Sequence, residues 1–259
     1  MVEPILTYAG QIFVTAPKLE KINQIEYKMC KEVIGVGRNC HNAAVLLETG
    51  WIPTSCKIYS MALNYFFKLK NNQTKTLQYK CFDYQINHVN ESGIWVRKML
   101  EMVKKLGLNE LLAKPYNKTF KCKIFNAIKN FTCEWLFGQM QSKSSLVLFN
   151  QLNHYESGAF YLKVVNDKSS RRAISRFRLG EYLWKLEKFS DGTRKCPLCE
   201  QMGDFTHIIK DCKALDHARS NLVFTINKSV KEIFDSREIK IVLQTSQYLQ
   251  TFFKYIDKM

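Results

Sequence analysis

Four residues of this 259-residue chain have the types and the spacing to hold a metal ion: Cys196, Cys199, His207 and Cys212, in the pattern C-x2-C-x7-H-x4-C. Three thiolates and one imidazole fill the four positions of a tetrahedral zinc ion and leave none open for water, which is the chemistry of a structural site. The two-residue gap lets both thiolates of a tight turn reach one ion. His207 and Cys212 lie about one helical turn apart and can face the same ion. One structural Zn2+ is therefore the expected cofactor. The alternative is a set of incidental core thiols. Of the nine cysteines, Cys30, Cys40, Cys56, Cys81, Cys122 and Cys133 have no partner at ligand spacing. His217 could replace His207, although the pattern is complete without it.

A second group could bind phosphate. Arg171, Arg172, Arg176 and Arg178 fall within eight residues, with Lys168, Arg194 and Lys195 nearby. Arginine forks match phosphate oxygens in pairs. On a helix Arg172 and Arg176 share a face, and Ile174 and Phe177 point the other way, toward a core. Past Gly180 the apolar side moves to Leu179, Leu183 and Leu186, which predicts a kink or break there. The alternative is a solvated face, since Glu181 and Glu187 lie close by.

The elements that must position these groups read as helices. Leu19, Ile22, Met29 and Val33 form a stripe that ends before Gly35. Thr54 is a candidate cap for a helix carrying Ile58, Ala62, Tyr65 and Leu69. Residues 70–80 are polar and read as a linker. Ser92 is a candidate cap for Trp95, Met99, Val103 and Leu106, stopped by Gly107. Phe120, Ile124, Ile128, Phe131 and Trp135 form the clearest stripe, ahead of Gly138. Leu215, Leu222, Ile226 and Ile233 imply one helix, and Ile241, Tyr248, Phe252 and Ile256 another. Ile12-Phe13-Val14 and Tyr161–Val165 are candidate short extended pieces.

Composition narrows the function classes. A net charge of +16 favours a polyanionic partner, RNA or DNA before an anionic membrane surface. No apolar run reaches the length of a membrane span. Met1-Val2-Glu3-Pro4 lacks the features of a secretion signal, so an intracellular place, nucleus or cytoplasm, is expected rather than secretion. Free thiols with a metal site fit a reducing compartment. No small-molecule substrate is expected.

The blocks, in this order, resemble the C-terminal part of the reverse transcriptase polyprotein of non-LTR (LINE- or jockey-type) retrotransposons. Val2–Gly10 is similar to the "lltYGaeiW" segment that follows the polymerase palm, with Phe13 where tryptophan is usual. Leu19–Gln24 resembles "LekiQ", Val33–Val36 resembles "llGv", and Asn42–Pro53 resembles "n.all.ElGw.P". Arg171–Gly180 resembles the "R..lsrlRlG" helix ahead of the terminal zinc motif, and Arg219 stands where a trailing arginine falls. The resemblance implies a mainly α fold, a helical thumb and connector bundle followed by a small CCHC zinc-binding domain. The expected segments are thumb-like helices at 1–70, a polar linker at 71–90 and connector helices at 91–190 ending in the basic helix. The zinc motif at 191–215 and C-terminal helices at 216–259 follow. It also implies that the thumb grips a template–primer backbone, that the connector and zinc domain hold RNA or DNA, and that a reverse transcriptase core is a candidate partner. The polymerase itself needs two metal ions on an aspartate triad with an adjacent Asp-Asp pair. No such pair occurs in this sequence, so the chain alone is expected to be inert: a C-terminal piece without its palm. The Cys-to-His gap is longer than in retroviral zinc knuckles, which points to a zinc that organises the fold rather than a base-stacking one.

Overall fold

Amphipathic helices account for nearly all of the regular structure, and the polar gaps between them are short. The computed structural model of the chain describes residues 10–14, 19–71, 76–91, 94–152, 158–186, 194–220, 222 and 228–258. Among them no strand is formed, and one isolated antiparallel bridge, Lys195–Met202, is the only β pairing. No helix among the described residues is long and apolar enough to cross a membrane.

The chain divides into two units, each built from two separate stretches: 1–26 with 52–135, and 27–51 with 136–259. The segments expected from the sequence divide it along the chain instead. Contacts group it otherwise because residues 27–51 bury their apolar face on the later half.

In the first unit the helix Thr54–Asn71 supplies the core. Ile58, Ala62, Leu63, Phe66 and Phe67 pack against Phe82, Met99, Val103, Phe120, Ile124 and Ile128. Rings meet edge-on, Phe66 with Phe82 at 5.8 Å and Phe67 with Phe120 at 5.5 Å, the arrangement aromatic quadrupoles favour. Thr54 does not cap its own helix. The buried carboxylate of Glu26 accepts from the Thr54 amide at 2.9 Å and from its hydroxyl, satisfying a helix start that carries partial positive charge.

The second unit holds both candidate sites. Tyr27, Cys30 and Ile34 on one helix, with Ala43 to Leu46 on the next, pack on Leu136, Met140, Leu146, Phe149 and Leu179. A larger cluster joins Ala173, Ile174 and Phe177 to Cys196, Ile208, Ile209 and Cys212, and to Leu249, Phe252 and Ile256 of the last helix. The helix Lys168–Arg178 starts on Asp167, whose carboxylate accepts from the Ser170 amide at 2.6 Å. It stops at Gly180, which takes the left-handed φ of 68°. The break expected there is present. Glycine is required twice over, since a Cβ would sit 1.8 Å from the Ser145 carbonyl oxygen.

Several expectations are corrected. Met29 and Val33 are exposed, and the inward face of Leu19–Ile34 is Glu26, Tyr27, Cys30 and Ile34. The supposed linker at 71–90 contains the helix Leu77–Asn87, capped by Thr76. Gly138 stops nothing, because the helix runs from Lys118 to Met140 and its buried side moves to Leu136 and Met140, leaving Trp135 exposed. Residues 10–13 and Tyr161–Val164 are short helical turns rather than extended. The single helix expected over 215–233 is replaced by short pieces at Lys213–Leu215, Asp216–Arg219 and Val230–Phe234. Val2–Ala9, Ser92 and Ile226 lie outside the described residues.

Candidate metal centre and basic surface

Cys196, Cys199, His207 and Cys212 converge so that their ligand atoms all lie within 4.8 Å of one another. The Sγ atoms of Cys196 and Cys212 are 3.8 Å apart, as are those of Cys212 and Cys199. The Cys199 Sγ lies 3.1 Å from His207 Nε2. Metal–sulfur bonds of about 2.3 Å in a tetrahedron give sulfur–sulfur edges of about 3.8 Å, so the donor set fits a small tetrahedral cation. The cluster can hold a metal ion.

Local chain geometry builds each half. The first two cysteines sit on a tight hairpin closed by the amide of Gly203 on the Arg194 carbonyl and the amide of Cys196 on the Gln201 carbonyl, both at 2.7 Å. Gly203 must be bare here, because a Cβ would lie 2.8 Å from the Cys196 nitrogen. The other half depends on a π-helical turn, His207–Asp211. Five α-helical steps would leave His207 and Cys212 about 140° apart. The wider turn, closed by the Cys212 amide on the His207 carbonyl at 2.8 Å, brings both donors to one side. Asp204 accepts from the His207 amide at 2.6 Å and anchors the start of the turn. Arg219 donates to the carbonyls of Ile209 at 3.0 Å and Cys212 at 2.7 Å, and the Tyr248 hydroxyl donates to that of Ile208.

Burial pushes the Cys196 thiol up and the Cys212 thiol up to about 12, the latter helped by the Cys196 sulfur. A cation between them would reverse that balance, since the thiolate is the ligating form.

The arginines expected to contact phosphate separate into two classes. Arg178 is buried and makes a two-pronged ion pair with buried Glu48, 2.6 and 3.0 Å, and donates to the Phe234 carbonyl at 2.8 Å. Burial alone would lower its pKa; the Glu48 carboxylate outweighs burial, and the net direction is up. Arg176 is buried over the Phe253 ring at 4.0 Å. It donates from Nε to Glu181 at 3.0 Å and through both terminal nitrogens to Asp257 at 2.7 and 2.9 Å. Both guanidinium groups are committed to carboxylates within the unit, which corrects their assignment to a phosphate-contact face. Arg171 is half-buried, with Nη2 3.4 Å from the Asn166 carbonyl. Arg172 and Lys168 are exposed. Arg194 is half-buried, donates to the Leu186 carbonyl at 3.3 Å and lines a cavity of about 340 Å³ with Tyr182, Met202 and Phe205. The Lys195 ammonium lies 3.5 Å from Glu200.

Compared with known proteins, the chain matches no family model, no curated protein and no solved structure. Its chemistry is read from its own residues. Sequence reasoning missed Asp204, three residues before His207 at a helix-start position, and Glu48, for which no local signal exists. It also missed Lys254, in the last turn of the last helix, and Lys258, two residues past its end.

Proposed function

We propose that this chain is a zinc-stabilised, helical nucleic-acid-binding segment of a non-LTR reverse transcriptase-like polyprotein, inert as a polymerase by itself. The observation that carries the reading is the convergence of Cys196, Cys199, His207 and Cys212 within 4.8 Å, in a chain whose preceding helix Lys168–Arg178 is basic. Three sulfurs and one imidazole favour zinc among common divalent ions, and a filled tetrahedron makes the ion structural. A net charge of +16 supplies long-range attraction to RNA or DNA. The missing Asp-Asp pair supports inertness alone, with any polymerisation supplied by a separate core. Such a partner places the chain inside the cell. The test joins two measurements on the purified chain: metal content, expected to be one zinc per chain, and oligonucleotide binding across salt, expected to weaken steeply. Metal absence after expression in zinc-supplemented medium overturns the first half. Salt-independent or absent binding overturns the second.

A second reading, a module that docks on a polymerase core, is favoured by Ile25, Met29 and Val33. These stand four residues apart on one face of the helix Leu19–Ile34 and are 49%, 44% and 68% exposed. Changing all three to glutamine should abolish capture of a palm-containing polypeptide while leaving nucleic-acid binding intact. Unchanged capture would remove this reading.

A further inference from the structure

The helix Lys168–Arg178 and the last helix, Ile239–Ile256, border a cleft of about 320 Å³ lined by Ser169, Arg172, Arg176, Lys254, Asp257 and Lys258, among others. We propose that this cleft binds the phosphodiester backbone of a nucleic-acid strand, with Arg172, Lys254 and Lys258 as the contacting cations. The proposal rests on the nucleic-acid reading above and gives it a place that the sequence did not.

Charge is the first argument. Asp257 is the only acid among the lining residues, and its two oxygens accept from Arg176. Glu181 accepts from the Arg176 Nε. Arg172, Lys254 and Lys258 are exposed and form no ion pair with a described carboxylate. Three cations from two segments, 82 or more residues apart in sequence (254 less 172), therefore face one opening without a carboxylate in ion-pair contact, while the nearby Asp167 carboxylate accepts from the Ser170 amide and the Gln250 side chain.

Order is the second argument. The aliphatic stem of Arg172 lies against Gly35, where a Cβ would meet its Cγ at 2.9 Å, and Gly35 holds the left-handed φ of 73°. The stem is therefore held while the guanidinium stays in solvent, so less side-chain freedom is lost when the fork closes on an anion. Arg176, paired with Asp257 and stacked on Phe253, fastens the helix that carries Arg172 to the segment that carries Lys254 and Lys258.

The same stacking decides what part of the nucleic acid is bound. The Phe253 ring borders the cleft, but the Arg176 guanidinium lies over it at 4.0 Å. The rest of the ring is buried, with Phe253 only 4% exposed, so no aromatic face in the cleft lining is left for a base. Cations without a stacking platform recognise backbone, which carries no sequence information.

The experiment measures anisotropy of a labelled mixed-sequence 20-mer, single-stranded and duplex, with the full chain from low to high salt. Four proteins are compared: the parent, Lys254→Ala/Lys258→Ala, the charge-matched Lys118→Ala/Lys121→Ala, and Arg172→Ala. The cleft variant should lose about two units of the log–log salt slope and bind at least about tenfold more weakly at low salt, equally for unrelated sequences. The control should keep the parent's slope. Arg172→Ala should remove about one unit alone. Equal weakening of both double variants would mean that net charge, not the cleft, binds. A cleft variant that bound like the parent would overturn the proposal and leave the nucleic-acid reading standing. A parent that failed to bind either strand form would overturn both. Unchanged circular dichroism and metal content in each variant confirm that folding is not the cause.

Discussion

The metal cluster and the basic helix are neighbours in sequence and opposite in construction. Cys196 and Cys212 are 16 residues apart, and all four donors come from one short stretch. Arg178 meets its carboxylate 130 residues away, and Arg176, besides Glu181 five residues on, meets Asp257 81 residues away. Ligand chemistry within a short loop is written in spacing, so four residues of two types and three gaps suffice. Whether an arginine reaches solvent depends on elements the local pattern does not contain. The fork geometry that made these arginines attractive for phosphate also suits Glu48 and Asp257, and in this fold the carboxylates hold them.

The largest test of that contrast is removal of the metal. Structural zinc in small motifs contributes on the order of 10–16 kcal/mol of apparent folding free energy. Chelation, or Cys199→Ser, should abolish stoichiometric zinc and open residues 194–212 to rapid amide exchange. The first unit, with its own core, should stay protected. Protection at 194–212 that survived chelation would mean that the four residues are core thiols after all.

Next in size is the distant pair. Glu48→Ala leaves the buried Arg178 charge without its partner and should cost about 3–5 kcal/mol in urea denaturation. Replacing both residues by methionine should recover most of that. An effect no larger than that of Glu101→Ala, which breaks an exposed pair with Arg97 and should cost under about 1 kcal/mol, would erase the distinction between the two arginine classes. Ile174→Ala, on the buried side of the same helix, should cost about 2–5 kcal/mol and leave zinc content unchanged.

A smaller effect separates a buried thiol from the ligand thiols. Burial first, then the charge of Glu181, pushes the Cys40 thiol up to about 12. Below pH 9 the thiol is protonated both folded and unfolded, and its contribution is fully present. As pH rises from 9 toward 12 the unfolded chain loses this proton first, so stability falls. Cys40→Ala should flatten that alkaline decline in denaturation midpoint. An identical decline in both proteins would remove Cys40 from the account. The smallest effect is expected at Lys168→Ala: under about 0.5 kcal/mol of stability and at most about one unit of salt slope.

The sequence disclosed the helical class, the break at Gly180 and the four residues that converge into a cluster able to hold a metal ion, since each follows from short-range rules: periodicity, a left-handed glycine, ligand spacing. It misread what depended on the neighbours of a face. Met29 and Val33 continue an apolar period yet lie exposed, because the core lies on the side of Tyr27, Cys30 and Ile34. Residues 70–80 look like a linker by polarity alone, although Thr76 caps a helix that buries only Phe82. The π-helical turn is also invisible in composition. Its one trace is the gap itself, since donors five apart suit an i→i+5 turn better than an α-helical one.

The Glu48–Arg178 pair also sets an order of events during synthesis. At about 5–20 residues per second, the 130 residues between the two take roughly 6–26 s to emerge from a ribosome. Until residues 140–149 are made, Ala44, Val45 and Leu46 lack the side chains of Met140, Leu146 and Phe149 that cover them later. The first unit, whose last core contribution is Ile128, can close in the meantime, before residues 27–51 meet their partners. A pause in translation between residues 52 and 135 would therefore prolong exposure of an apolar strip that only the distant half of the chain can cover.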